Sequence, residues 1–210
     1  MLAAMRRDAW FRQTLAAPGR APTPLTTAWA WLTSPGLWLL ATHRLTHRFE
    51  RPRPSGPAQL AFLAAKVPVV VARHVMLVLT KSEIAPETPL DPGVALSDRG
   101  HIIAGALAVG SGTVVCERVT IGMNLRPELK PTIGRDVWIS PRCIIYGSIR
   151  IGDGSTLLPG TVLTRNVPPG AIVAGNPARV TGVSADHGAL RRAIREGLPL
   201  PENAPEPATT

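Results

Sequence analysis

The chain is short of cysteine, lysine and aromatic side chains, and each shortage removes a class of explanation. Cys116 and Cys143 lie far apart without CxxC spacing, so neither a metal site nor a disulfide scaffold is expected. Both fall among apolar residues and read as small core side chains. A single tyrosine and three phenylalanines leave little on which nucleic-acid bases could stack. Lysine is confined to Lys66, Lys81 and Lys130, so the net charge of +9 and the pI of about 11.1 rest mainly on arginines spread from Arg6 to Arg195. A preference for arginine codons produces such a spread without a polyanion, and no nucleic-acid partner is expected. The N-terminus lacks a basic region leading into an apolar run with a small-residue cleavage site. A cytoplasmic location is the expectation.

The first part of the chain, residues 1–82, reads as helical. Asp8 to Leu15 suits a short helix, and Thr26 or Thr27 can cap a second that carries Trp29 and Trp31. Ser34 is a candidate N-cap with Pro35 at the first helical position, and the helix that follows to Phe49 puts Leu37, Leu40 and His43 with Arg44 on one stripe. RPRPSGP reads as a linker. A last helix, Ala58 to Thr80, begins or kinks at Pro68. Its apolar run is broken by Lys66, Pro68, Arg73 and His74, which argues for a partly buried helix rather than a membrane span. A contact with a membrane surface is the subordinate reading, with the basic stretch HRLTHRFERPRP beside it; a solvated helix face explains that stretch as well.

From Ser82 the texture changes. TIGRDVWISPRCIIYGSI and RIGDGSTLLPGTVLTRNV align with each other at a period of eighteen, and an aliphatic residue recurs every six. Ile133, Ile139, Ile145, Ile151, Leu157 and Leu163 hold that frame, which extends back to Ile121, Val115 and Val109. A six-residue period fits neither a helix nor simple strand pairing. It fits a solenoid in which three hexapeptides close one triangular coil, aliphatics stacking inward and Gly, Ser, Asp and Pro turning the corners. The expected fold is mainly β, a parallel β-helix over residues 83–183 behind the helical region. Residues 184–210 read as a short basic helix from Ala185 to Glu196, able to dock on a neighbour, and a disordered Pro-rich tail. Two irregularities mark candidate functional ground. Ile84, Leu90 and Leu96 run one residue out of phase with Ile103, and Met123 to Thr132 reads as an extruded loop.

These features together resemble the serine acetyltransferase group of hexapeptide-repeat acyltransferases: helices first, the column, VTIG, an extruded loop, and then NVPPGAIVAGNPARV. The resemblance implies a left-handed column. It also implies a homotrimer, which the helical region could pair into a dimer of trimers, and acyl-CoA sites in the clefts between columns. The reaction implied is transfer of an acetyl or other acyl group from CoA to a hydroxyl or amine of a small acceptor, without a metal. Carried onto this chain, the cofactor would meet Gly122, Pro141, Pro159, Gly175, Asn176 and Arg179. The two prolines leave their carbonyls free but remove N–H donors.

The family's histidine base and its aspartate partner follow the leucine that ends a strand. Here Leu96 is followed by Ser97 and Asp98, so Asp98 stands in the histidine's place, and Lys130 stands in the place of a second histidine. His101 is the one histidine between Glu83 and Val180. Three readings stand side by side. His101 is a displaced base oriented by Asp98 or Glu117; Asp98 or Glu128 is itself the base; or the solenoid has lost its chemistry and serves as a binding or assembly partner. An amine acceptor would ask less of a base than an alcohol.

Overall fold

In a computed structural model of the chain the described residues are 1–50, 56, 58–122, 130–183 and 187–196. Four helices lead: α1 (Leu2–Ala16), α2 (Pro24–Thr33), α3 (Pro35–Phe49) and α4 (Ala58–Thr80). Helix α1 is longer than the Asp8–Leu15 expectation. The cap of α2 is Thr23 rather than Thr26 or Thr27; its hydroxyl accepts from the Thr26 backbone while Thr26 reciprocates, closing a capping box around Pro24. Ser34 caps α3 ahead of Pro35, as the sequence predicts. Helix α4 runs through Pro68 without interruption.

Short parallel strands then wind into a left-handed β-helix of about five turns with three faces. Face A stacks β1 (Glu83–Ile84), β3 (Ile103–Ala104), β6 (Thr120–Ile121), β9 (Ile144–Ile145) and β12 (Val162–Leu163). Face B stacks β4 (Ala108–Val109), β7 (Thr132–Ile133) and β10 (Arg150–Ile151), extended by bridges at Leu90 and Val167. Face C stacks β2 (Ala95–Leu96), β5 (Val114–Val115), β8 (Trp138–Ile139), β11 (Thr156–Leu157) and the exit hairpin of β13 (Ala171–Ala174) and β14 (Arg179–Val183). The recurrent aliphatics fill the axis: Ile133, Ile139, Ile145, Ile151, Leu157 and Leu163 are all at most 2% exposed. Burying each is worth about 1.5–3 kcal/mol.

The phase slip resolves differently from the sequence frame. Ala104, not Ile103, points inward in register with Ile121; Ile103 is 54% exposed. The step from Leu96 to Ala104 is long and the step from Ala104 to Val109 short, so the corner after Leu96 takes up the surplus. Gly100 and His101 are both left-handed there, with φ of 68° and 57°. The extruded-loop reading lies outside the described residues at 123–129, as does the tail reading at 197–210. Helix α5 (Gly188–Glu196) packs on its own column. Leu190 packs with Leu158, Ile172 and Ala174, and Arg191 reaches the Gly154 carbonyl at 2.8 Å and Asp136 at 3.2 Å.

Candidate active site

The corner after Leu96 is where the helices meet the column. The Asp98 carboxylate accepts from Ser34 Oγ at 2.5 Å and the Gly36 N–H at 3.0 Å, and it is ion-paired with the Arg12 guanidinium. Arg12 also donates to the Leu96 carbonyl at 3.3 Å. Glycine at position 36 makes this approach possible, because a Cβ there would lie 2.4 Å from the Leu96 oxygen. One carboxylate thus gathers α1, the cap of α3 and the end of β2. Its oxygens accept from these strong donors. Glu117 is committed too: Ser97 Oγ and Arg99 Nη1 each donate to it at 3.0 Å. Burial raises its carboxyl pKa, but hydrogen bonds from its own backbone, Arg99 and Ser97 outweigh that and hold it below the ordinary range.

His101 is exposed, and its backbone N–H donates to the Thr80 carbonyl at 2.9 Å. Among the described residues neither Asp98 nor Glu117 bonds its ring; both carboxylates bond other partners. Lys130, too, is held by a partner within the chain. The Lys130 side chain is 8% exposed and donates to Glu87 at 2.6 Å, a bond that, ahead of all other causes, lowers the Glu87 carboxyl pKa. Glu128 lies outside the described residues. Burial pushes both Cys116 and Cys143 up to about 12, which leaves no thiolate nucleophile.

The periodicity places His101 in a row. His101, Arg118, Arg142 and Gly160 are equivalent positions, each two residues ahead of a face A strand and each left-handed, with φ of 57°, 57°, 63° and 75°. Along this edge the Arg118 N–H donates to Gly100 O, Arg142 to Glu117 O and Gly160 to Pro141 O. The His101, Arg118 and Arg142 side chains are exposed, and among the described residues Arg118 and Arg142 form no ion pair. Sequence reasoning missed both arginines, although their recurrence two residues before Thr120 and Ile144 is visible once the faces are known.

The same edge carries most of the predicted cofactor residues. Pro141 and Pro159 follow one another on successive turns, but the Pro141 carbonyl is taken by Gly160 at 3.0 Å, so it is not the free acceptor the sequence suggested. The Gly175 carbonyl accepts from Val162 at 3.0 Å and the Ala178 N–H donates to Val162 O at 3.1 Å, folding Asn176 over this edge. Asn176 and Arg179 are exposed. Gly122 stands apart, at the far edge of face A. Its φ of 66° and the 1.8 Å that would separate a Cβ from the Gly105 oxygen make glycine obligatory there.

Two cavities meet at Arg12 and Asp98. One of about 520 Å³ lies between α1 and α2, with Arg20, Thr26 and Trp29 in its wall. The other, about 280 Å³, lies over face C beside Cys116, Glu117, Trp138 and Arg195. His101 lines neither.

Residues 130–165 match the family described as bacterial transferase hexapeptide (six repeats). The chain is 29% identical to the serine acetyltransferase of Mycobacterium tuberculosis over 88% of its own length and 75% of that protein. It is 28% identical to that of Synechococcus elongatus over 74% of its own length and 62% of the relative. In fold it is similar to the serine acetyltransferase from Brucella abortus strain S19 solved in complex with coenzyme A, with a TM-score of 0.71, 22% identity, and coverage of 88% of this chain and 68% of that one. The chain therefore carries the hexapeptide-repeat transferase pattern over residues 130–165. Over most of its length it is distantly similar to serine acetyltransferases.

Proposed function

We propose that the protein is an acyl-CoA-dependent acyltransferase that passes an acetyl or other acyl group to a small acceptor. The observation that carries this reading is the single edge running from His101, through Arg118 and Arg142, to Gly160 and the Gly175–Arg179 turn. Three rungs of about 4.8 Å each separate His101 from Gly160, so an extended cofactor laid along the edge would reach from one end to the other. Its phosphates would find Arg142 and Arg179 toward the far end of the edge, arginine being suited to bidentate phosphate bonds, with Arg118 beside the pantetheine arm. The thioester would then lie near His101, the one uncommitted imidazole of the column. The similarity to a serine acetyltransferase solved with coenzyme A supports the cofactor class. In the attack, the acceptor's lone pair closes on the thioester carbon, the acceptor proton passes to His101, and CoA leaves as the thiolate that recovers it. Because His101 has no orienting carboxylate, an amine acceptor fits better than an alcohol.

The test is thiol release from acetyl-CoA across amine and hydroxyl acceptors, with CoA binding measured in parallel. Turnover should fall at least ~100-fold in His101→Ala, the usual cost of losing a general base, with CoA affinity kept. The Asp98 anchor favours a second reading, a silent column that binds CoA without turning it over. Tight CoA binding with no thiol release from any acceptor would establish that reading; unaltered turnover in His101→Ala would remove His101 from the mechanism.

A further inference from the structure

The cavity of about 520 Å³ between α1 and α2 runs as a cleft beside α2. It starts at Arg20 and Pro22, ahead of the first turn, and ends at Ser34 and Asp98, past the last. Ten helical residues set that length at about 15 Å. Ala16, Ala17, Ala21, Pro22 and Ala30 give the cleft an apolar lining with no long side chain to fill it. Most of its polar lining is used up within the protein. Gln13 donates to Thr27 at 3.0 Å and accepts from Thr26 at 2.7 Å. The Thr23 hydroxyl accepts from the Thr26 N–H, and the Thr33 hydroxyl donates to the Trp29 carbonyl. At the far end Asp98 holds Arg12 and Ser34. Two polar groups remain. Among the described residues neither the Arg20 guanidinium nor the indole N–H of Trp29, a side chain 66% exposed, has a hydrogen-bond or ion-pair partner.

We infer that this cleft binds a small molecule with an apolar body and a single carboxylate, held at Arg20. Its volume falls within the range of small-molecule sites, about 300–1,000 Å³. Both free groups are donors, so an occupant must supply acceptors, and one unpaired guanidinium calls for one negative charge. A carboxylate can meet Arg20 through two parallel bonds. The opposite end rejects it, because Arg12 is already neutralised there and a second anion would face Asp98. The body then lies along the alanines and covers the exposed ring of Trp29. Since the other polar groups of the wall have partners, an apolar body strands none of them. An ammonium in place of the carboxylate would meet Arg20 as a like charge. None of the edge residues from His101 to Arg179 lines this cleft, so it is a site additional to the proposed cofactor edge.

The full chain, without CoA, should bind one octanoate per chain in a calorimetric titration. 1-Octanol and octylammonium carry the same alkyl chain and should bind at least ~tenfold more weakly. Arg20→Gln changes an exposed residue. It should weaken octanoate binding at least ~tenfold and leave 1-octanol binding and circular dichroism as they were. Trp29→Ala should weaken octanoate and 1-octanol alike. No octanoate binding, equal binding of octylammonium, or full octanoate affinity in Arg20→Gln would each overturn the inference. A fall in solution mass in Trp29→Ala would also overturn it, by assigning the cleft to a second copy of the chain. Binding is read without CoA or turnover, so its failure leaves the acyl-transfer reading untouched.

Discussion

Asp98 stands where the resemblance implies an imidazole, and here it ties the helices to the column. A carboxylate there can hold a guanidinium, a hydroxyl and a backbone amide together, which an imidazole cannot. The sequence showed the substitution but not its consequence, because Arg12 and Ser34 lie far away along the chain and come to Asp98 only through the packing of α1 and α3. A second residue, His43, carries a pH dependence. It is 5% exposed, and its pKa is pushed from 6.5 to about 4, first by burial and then by His47 and Arg44, against the opposing hydrogen bond to Thr88 and the charge of Glu87. The unfolded chain therefore takes up this proton near pH 6.5, while the folded chain resists it until about 4. Acid favours the unfolded state across that window, by up to about 3 kcal/mol. Urea unfolding at a series of pH values should show this loss, and His43→Gln should flatten it; an unchanged slope would assign the loss to other groups.

At the scale of elements, close approach decides more than propensity does. Helix α3 sits against β2 because position 36 has no side chain, and Gly36→Ala would place a Cβ 2.4 Å from the Leu96 oxygen. The helix must then move outward, at a cost of about 1–3 kcal/mol, and the Gly36 bond to Asp98 lengthens. Hydrogen exchange should quicken over Leu37 to Thr46 while Val109 to Leu163 stays protected. Uniform loosening of the column instead would show that the helices and solenoid fold as one unit. The strands themselves were legible from the six-residue spacing of Val109, Val115, Ile121 and the aliphatics after Thr132, because each inward residue answers only to its neighbours one turn away. The corner at Ser97–Ile102 was not legible. Whether Ile102, Ile103 or Ala104 faces the axis depends on how Gly100 and His101 turn, and hydrophobicity alone does not choose among them.

For the whole molecule, the outer surface of face A remains unclaimed. Ile103 is 54% exposed, Tyr146 42% and Ile144 36%. Column-to-column packing on this face would produce the homotrimer that the resemblance implies and bring a neighbour beside the His101–Gly160 edge. Sedimentation should give a mass three times that of the 22.3 kDa chain. Ile103→Glu with Ile144→Glu should reduce it to the monomer and weaken CoA binding together; a monomer that binds CoA as tightly as the wild type would place the cofactor on one column alone.

The sequence by itself determined the column, since a six-residue repeat is a local rule that every turn restates. Tertiary structure alone decided what Asp98 holds, which row of side chains shares an edge, and which polar groups of the cleft between α1 and α2 stay free. Each of these depends on groups distant in the chain meeting in space, and no short-range pattern records where such groups will meet.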